Sequence, residues 1–161
     1  ALTACSSTNE AVNQALIEGA VGGIVATDCK IGRSRYWAAN ATVPVNEISF
    51  RIVMTNVSSK PVTLSGDNFA TTLDGTPIPP FNFSARDVGD ADIWRTYDSL
   101  TIRPGEERSV ALAYEISQPT YDSWYRSSRT VAVSFTCGNQ RVTYTKNSRS
   151  DEITVSDIET L

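Results

Sequence analysis

A chain of 161 residues, 40% of them apolar and 20% charged, is the length of one domain with a single core, burying roughly 70% of the surface that the unfolded chain exposes. Its net charge of −4 comes with basic residues scattered singly among acids, which excludes the basic track that nucleic acid needs, and no run of about 18 apolar residues is present to span a membrane. Histidine is absent, and with it every Ser-His, Cys-His and His-zinc constellation, so the expectation is a protein that is not an enzyme and takes no cofactor.

The chain opens with Leu2-Thr3-Ala4-Cys5 followed by Ser6-Ser7, which resembles the lipobox of bacterial lipoproteins and would make Cys5 a lipid anchor. The other reading of Cys5 is an ordinary cysteine in a mature N-terminus. Ser7-Thr8-Asn9-Glu10 is a capping box, and Ala11, Val12, Ala15 and Leu16 follow at helical spacing, predicting one short N-terminal helix ending near Gly19. Residues 1–22 are therefore expected to form a tether and short helix, and residues 23–161 the folded domain.

After Gly22-Gly23, the stretch Ile24 to Ile31 reads as a strand with Val25, Thr27, Cys29 and Ile31 on one side, and Tyr36-Trp37 falls in a polar linker that ends at Pro44. Asn46 to Asn56 is the clearest strand of the chain: Ile48, Phe50, Ile52 and Met54 alternate against Ser49, Arg51, Val53 and Thr55, so one face is buried. The turn Val57 to Pro61 and the short strand Val62-Thr63-Leu64 follow and read as the second arm of an antiparallel pair. Asp67 to Leu73 gives another strand, closed by Asp74-Gly75.

Thr76 to Tyr97 is the least regular part, with Pro77, Pro79 and Pro80, the aromatics Phe81, Phe83 and Trp94, and the acids Asp87, Asp90 and Asp92; it reads as a long loop. Leu100 to Ile102, the turn Arg103-Pro104-Gly105-Glu106 and the strand Ser109 to Ile116 read as a hairpin. Gln118 to Arg129 is a second long connection. Val131, Val133, Phe135 and Cys137 then alternate toward Gly138-Asn139, Val142 and Tyr144 alternate back, and Glu152 to Ser156 supplies a last strand. Seven to nine strands without a βαβ rhythm predict an all-β, antiparallel sandwich, with a closed barrel as the alternative.

From Ile48 to Ile116 the order of features resembles the immunoglobulin-like (telokin-like) domains of bacterial surface lipoproteins. The residues that carry the resemblance are Met54-Thr55-Asn56, Lys60-Pro61-Val62-Thr63-Leu64, Phe69 to Gly75, and Leu100 to Glu107. The resemblance implies an antiparallel immunoglobulin-like β-sandwich, and such modules bind or present and catalyse nothing.

Trp94, Tyr97, Tyr121, Trp124 and Tyr125 fall in the two irregular segments and are the candidate binding residues, as exposed aromatics that would meet a protein or glycan partner. The plainer alternative is that they cap the open ends of the core. Asp87, Asp90 and Asp92 have the spacing of calcium ligands without the rest of an EF-hand loop, and Asp87, Asp92 and Glu115 are the acids that glycoside hydrolysis would require; solvated loop acids are the commoner case for both. Three sequons are present, at Asn40, Asn56 and Asn82, where about two are expected by chance. Cys29 and Cys137, each in phase with apolar neighbours, are the expected disulfide, with Cys5 outside it, and a bridge would suit an extracytoplasmic location.

Two functional classes remain open at this level. One is a secreted or lipid-anchored accessory module at the cell envelope, touching the membrane only through Cys5. The other is a structural subunit of an extracellular filament or secretion assembly that uses its N-terminal segment for self-assembly.

Overall fold

The computed structural model describes residues 19–79, 82–89 and 93–161. Residues 1–18 lie outside the described residues, and with them Cys5 and the expected helix.

β1 (Ile24–Tyr36), β2 (Val45–Asn56), β9 (Glu107–Glu115), β6 (Asn82–Asp87) and β7 (Arg95–Thr96) form one antiparallel sheet in that order. β12 (Ile153–Val155), β11 (Gln140–Asn147), β10 (Thr130–Cys137), β4 (Phe69–Leu73) and β5 (Thr76–Ile78) form the second, where β13 (Glu159–Thr160) also pairs with β11. β3 (Val62–Leu64) and β8 (Leu100–Ile102) make a separate two-stranded ribbon. The expected sandwich is present, and no barrel closes.

The core lies between the two sheets because strands from both turn alternate residues toward it. On β2 these are Asn46, Ile48, Phe50, Ile52, Met54 and Asn56, all buried; on β10 they are Val131, Val133, Phe135 and Cys137. Four rings join the sheets: Phe50 of β2 sits 6.1 Å from Phe69 of β4 and 5.5 Å from Tyr144 of β11, and Phe69 stacks on Phe135 at 5.0 Å. Val21 and the first residue of β1, Ile24, exchange backbone hydrogen bonds at 2.9 and 3.0 Å, so the core takes in Val21 ahead of the first strand.

Several expectations change. β3 pairs with β8 and not with β2, and the strand after the Pro104-Gly105 turn, β9, lies between β2 and β6 rather than against β8. The cause is Asn56, fully buried at the end of β2. Its Nδ2 donates to the carbonyls of Lys60 and Ile102, both at 2.8 Å, and its Oδ1 accepts from the Ser58 backbone N–H at 2.9 Å and Ser58 Oγ at 2.7 Å. The Asn56 backbone also donates to Glu106 O and accepts from Gly105 N. One side chain thus binds the turn after β2 to the ribbon and to the turn entering β9.

The segment Thr76 to Tyr97, expected to be a loop, holds three strands. β6 is interior to its sheet, with Phe83 and Ala85 buried, while the proline-bearing β5 is an edge strand, where a missing N–H costs no ladder bond. β1 is also longer than expected and takes in Tyr36. Gln118 to Arg129 contains a short helix, α1 (Gln118–Asp122), whose start is set by Ser117 Oγ accepting from Thr120 N and by Pro119 in the first turn.

The expected disulfide is absent: Cys29 and Cys137 are free thiols. β1 bulges between Thr27 and Lys30, with Asp28 at φ 51°, so Ile24 and Ala26 point inward where Val25 and Thr27 had been expected. Cys29 is left half-buried near Tyr144, which is level with Val133 on β10. Cys137 lies four residues further along β10, about 13 Å at strand rise, with Sγ 3.8 Å from Gly22 O. A disulfide needs Cα atoms roughly 4.4–6.8 Å apart. Both thiols face the interior, but at different heights. Burial raises the pKa of each, which suppresses the reactive thiolate. Non-reducing peptide mapping of the folded protein should therefore recover Cys29 and Cys137 as separate free-thiol peptides, alkylated only after unfolding; a Cys29–Cys137 linked peptide would refute the assignment.

Candidate functional site

The candidate aromatics separate into four places. Trp124 is a core residue, 1% exposed, and cannot touch a partner; the expectation that it is a surface contact is corrected. The chain turns inward after α1, so this ring plugs the end of the sandwich beneath the connection.

Tyr121, half-buried against the edge of the core, and Tyr125, exposed, flank Trp124 in sequence and belong to a stack with two arginines of β1. Past the bulge, Arg33 and Arg35 fall on the same side of β1 as Ile31, but at the end of the strand, where α1 and not the second sheet covers them. The Arg35 guanidinium sits 4.0 Å from the Tyr121 ring centre, Arg33 is 4.4 Å from Tyr121, and Arg33 is 4.8 Å from Tyr125. Cation–π contacts of this kind contribute about 0.5–1 kcal/mol each at exposed positions.

The arginines are held in place. Arg33 Nη1 donates to Tyr121 O at 2.6 Å, Arg35 Nε donates to Asn46 Oδ1 at 2.7 Å, and Arg35 Nη2 meets Asp122 Oδ1 at 3.5 Å. The stack ends on the Tyr125 ring, 56% exposed.

Trp94 lies elsewhere, half-buried on the outer face of the first sheet, with Arg86 at 5.0 Å and Arg51 at 5.6 Å from its ring. Register puts Arg51 level with Lys30 and Ala111, six residue pairs from the Tyr36 end of β1 and β2, or about 20 Å. Tyr97 is partly buried against the core, with Arg108 at 6.0 Å, and Arg108 Nε pairs with Asp87 Oδ1 at 3.0 Å. Hence the five aromatics do not form one surface. Only Tyr121 and Tyr125 are brought together.

Sequence reasoning passed over the tip of the β1–β2 hairpin. Residues 35–43 are all exposed, and from Tyr36 to Asn46 no residue is charged. Tyr36 is 41%, Trp37 60% and Val43 69% exposed. The signal was there to be found: an uncharged, Trp-bearing stretch between two strands. The arginines Arg33 and Arg35 carried no comparable sign, since an alternating strand near its end does not say what covers it.

Among the described residues, the candidate acids Asp87 and Glu115 do not come together. Asp90 and Asp92 lie outside the described residues, and Asp87 is held by Arg108. Asp87 pairs opposite Arg108, whereas Glu115 is seven residues further along β9, about 23 Å away. Glycosidase carboxylates stand roughly 5–9.5 Å apart. Among the described residues no group of three or more His, Cys, Asp or Glu side chains converges as metal ligands, and no helix is long and apolar enough to cross a membrane.

No protein-family model matches this sequence, and no curated protein resembles it in sequence. Solved structures do resemble the fold. The ycdA protein of Bacillus subtilis, provisionally described as a lipoprotein, superposes with a TM-score of 0.50 at 9% identity, covering 82% of this chain and 38% of that one. This chain thus spans well under half of that protein's length. The yjhA protein from Bacillus subtilis is similar with a TM-score of 0.44 at 16% identity over 71% of this chain and 74% of its own. An uncharacterized β-sandwich protein from Clostridium difficile is similar with a TM-score of 0.45 at 16% identity, over 77% of this chain and 83% of its own. At these identities the likeness concerns the fold alone.

Proposed function

We propose that this chain is a non-catalytic binding module of immunoglobulin-like build, working outside the cytoplasm and recognising a protein or glycan partner through the aromatic end of its sandwich. The immunoglobulin-like reading is supported by strand order. Numbered along the chain as A to G, with β3, β7, β8, β12 and β13 as additions, β1-β2-β9-β6 follows A-B-E-D and β11-β10-β4-β5 follows G-F-C-C′. The extracytoplasmic reading draws support from the Leu2-Thr3-Ala4-Cys5 stretch and from the description of the ycdA protein as a lipoprotein, a placement in which Cys5 is the anchor.

The observation that carries the binding role is the stack Arg35–Tyr121–Arg33–Tyr125. Its inner members are fixed by hydrogen bonds and its last ring faces solvent, so the surface is ordered before any partner arrives. Tyrosine and arginine in this state lose little entropy on binding, which is why they dominate interface energies. Trp94, between Arg51 and Arg86, is a second and separate contact surface, and Tyr97 supports its segment from behind.

The test is site-specific photo-crosslinking on intact source cells, with the photoreactive residue at position 125 and, as a control, at position 57, where Val57 is 59% exposed. A discrete adduct from position 125 that is absent from position 57 and lost with Arg33→Ala is the expected result. Equal labelling from both positions, or none from 125, would overturn it. An adduct between two copies of the chain would support the alternative, a structural subunit that assembles through its N-terminal segment, which leads into β1, an edge strand of its sheet among the described residues.

A further inference from the structure

We propose that Asn40 is an N-glycosylation site and that the attached sugar covers the apolar tip of the β1–β2 hairpin. The inference rests on the extracytoplasmic placement argued above and goes beyond the binding role.

Of the three Asn-X-Ser/Thr stretches, the fold leaves one able to react. Asn56 is fully buried, and the amide nitrogen that would be modified is already spent on the Lys60 and Ile102 carbonyls. Asn82 is half-buried on β6, an interior strand, paired with Ala113 and followed by buried Phe83. An acceptor sequence must leave its sheet to enter a transferring enzyme, and neither of these can do so without opening the core.

Asn40-Ala41-Thr42 is different at each point. It sits at the apex of a hairpin, all three residues are exposed, and the turn is closed by Ala41 N donating to Ala38 O at 3.0 Å. Asn40 takes φ 62° as the third residue of that turn, a conformation asparagine adopts more readily than other side-chain-bearing residues.

A second observation concerns what surrounds it. Clustered apolar side chains left in water mark a contact surface, and this tip offers Trp37, Ala38, Ala39, Ala41 and Val43 to solvent. A saccharide joined to Asn40 presents a C–H-rich ring face within reach of Trp37, three residues earlier, and hydroxyls to the water beyond. Such a cover removes apolar surface from solvent and leaves Tyr36 and Tyr125 as exposed aromatics of this end.

In the reaction, Asn40 Nδ2 forms a bond to the anomeric carbon of a lipid-diphosphate-linked oligosaccharide. The bond from that carbon to the phosphate oxygen breaks, the lipid diphosphate departs, and the amide proton passes to a base of the transferring enzyme.

The test is glycopeptide mapping of the full chain purified from its source, together with protease accessibility of the chain on intact cells. The expected result is an accessible protein with a sugar on the Asn40 peptide, none on the Asn56 or Asn82 peptides, and complete loss of the sugar in Thr42→Val, which keeps Asn40 and the hairpin. An accessible protein with bare Asn40 would overturn the glycosylation alone. A protein retained inside the cell would overturn the extracytoplasmic reading as well, and a sugar that persists in Thr42→Val would overturn the assignment of Asn40-Ala41-Thr42 as the acceptor sequence.

Discussion

Trp124→Ala should destabilise the protein by about 3–5 kcal/mol, the range for removing a large aromatic from a packed core. For a domain of this length that is a fall in Tm of roughly 6–20 °C. The ring is 1% exposed, and truncation leaves a void beneath the β9–β10 connection that a two-sheet core cannot collapse to fill. Trp124→Phe provides the discriminating comparison. The indole Nε1 has no hydrogen-bond partner among the described residues, so replacing it forfeits ring area but relieves a buried donor, and the loss should be well under half that of the alanine variant. Thermal melts of both variants decide the matter; an unchanged Tm for Trp124→Ala would return the ring to the surface. Tyr125→Ala, one residue on, should by contrast leave Tm nearly unchanged.

Asn56→Ala should cost about 2–5 kcal/mol, although it removes only a few atoms, because it leaves the Lys60 and Ile102 carbonyls and the Ser58 donors without their partner. Asn56→Asp should be worse at neutral pH. A carboxylate still accepts from Ser58, but it places a buried negative charge against two carbonyl oxygens and has no hydrogen to give them. Burial and those oxygens raise the folded-state pKa of the introduced carboxyl above its unfolded value near 4. The folded state then holds the proton more tightly, so stability is greatest below that unfolded value and falls as pH rises through the folded one. Denaturant titrations at about pH 4 and pH 7 should show the Asn56→Asp deficit growing with pH while the Asn56→Ala deficit stays constant. A constant deficit for both would mean that the side chain is solvated and does not tie the ribbon to β9.

The sequence by itself determined which face is buried in the most regular strands and where several of the turns fall. In Asn46 to Asn56, Ser109 to Ile116 and Val131 to Tyr144, apolar residues at every second position have one physical reading, a strand with one wet side, and the strands lie there with those residues inward. The turns were equally legible, since Gly75, Gly105 and Gly138 take the positive φ that their turns require. What it left open was which strand meets which, and at what height.

Alternation assigns a residue to a face, but it names no neighbour and gives no level along the sheet, so the β3–β8 ribbon and the different heights of the two inward-facing cysteines belong to tertiary structure alone. A single bulge at Asp28–Cys29 reversed the phase of the first half of β1. β6 escaped notice because prolines precede it and its inward pair, Phe83 and Ala85, is short. The candidate site divides along the same line. Aromatics in irregular segments were visible, but a ring is apolar enough to be buried and polar enough at its edge to be exposed, and sequence does not separate Trp124 from Tyr125. Packing decided that: Arg33 and Arg35 stack on a half-buried Tyr121, Arg33 reaches an exposed Tyr125, and Trp124 closes the core.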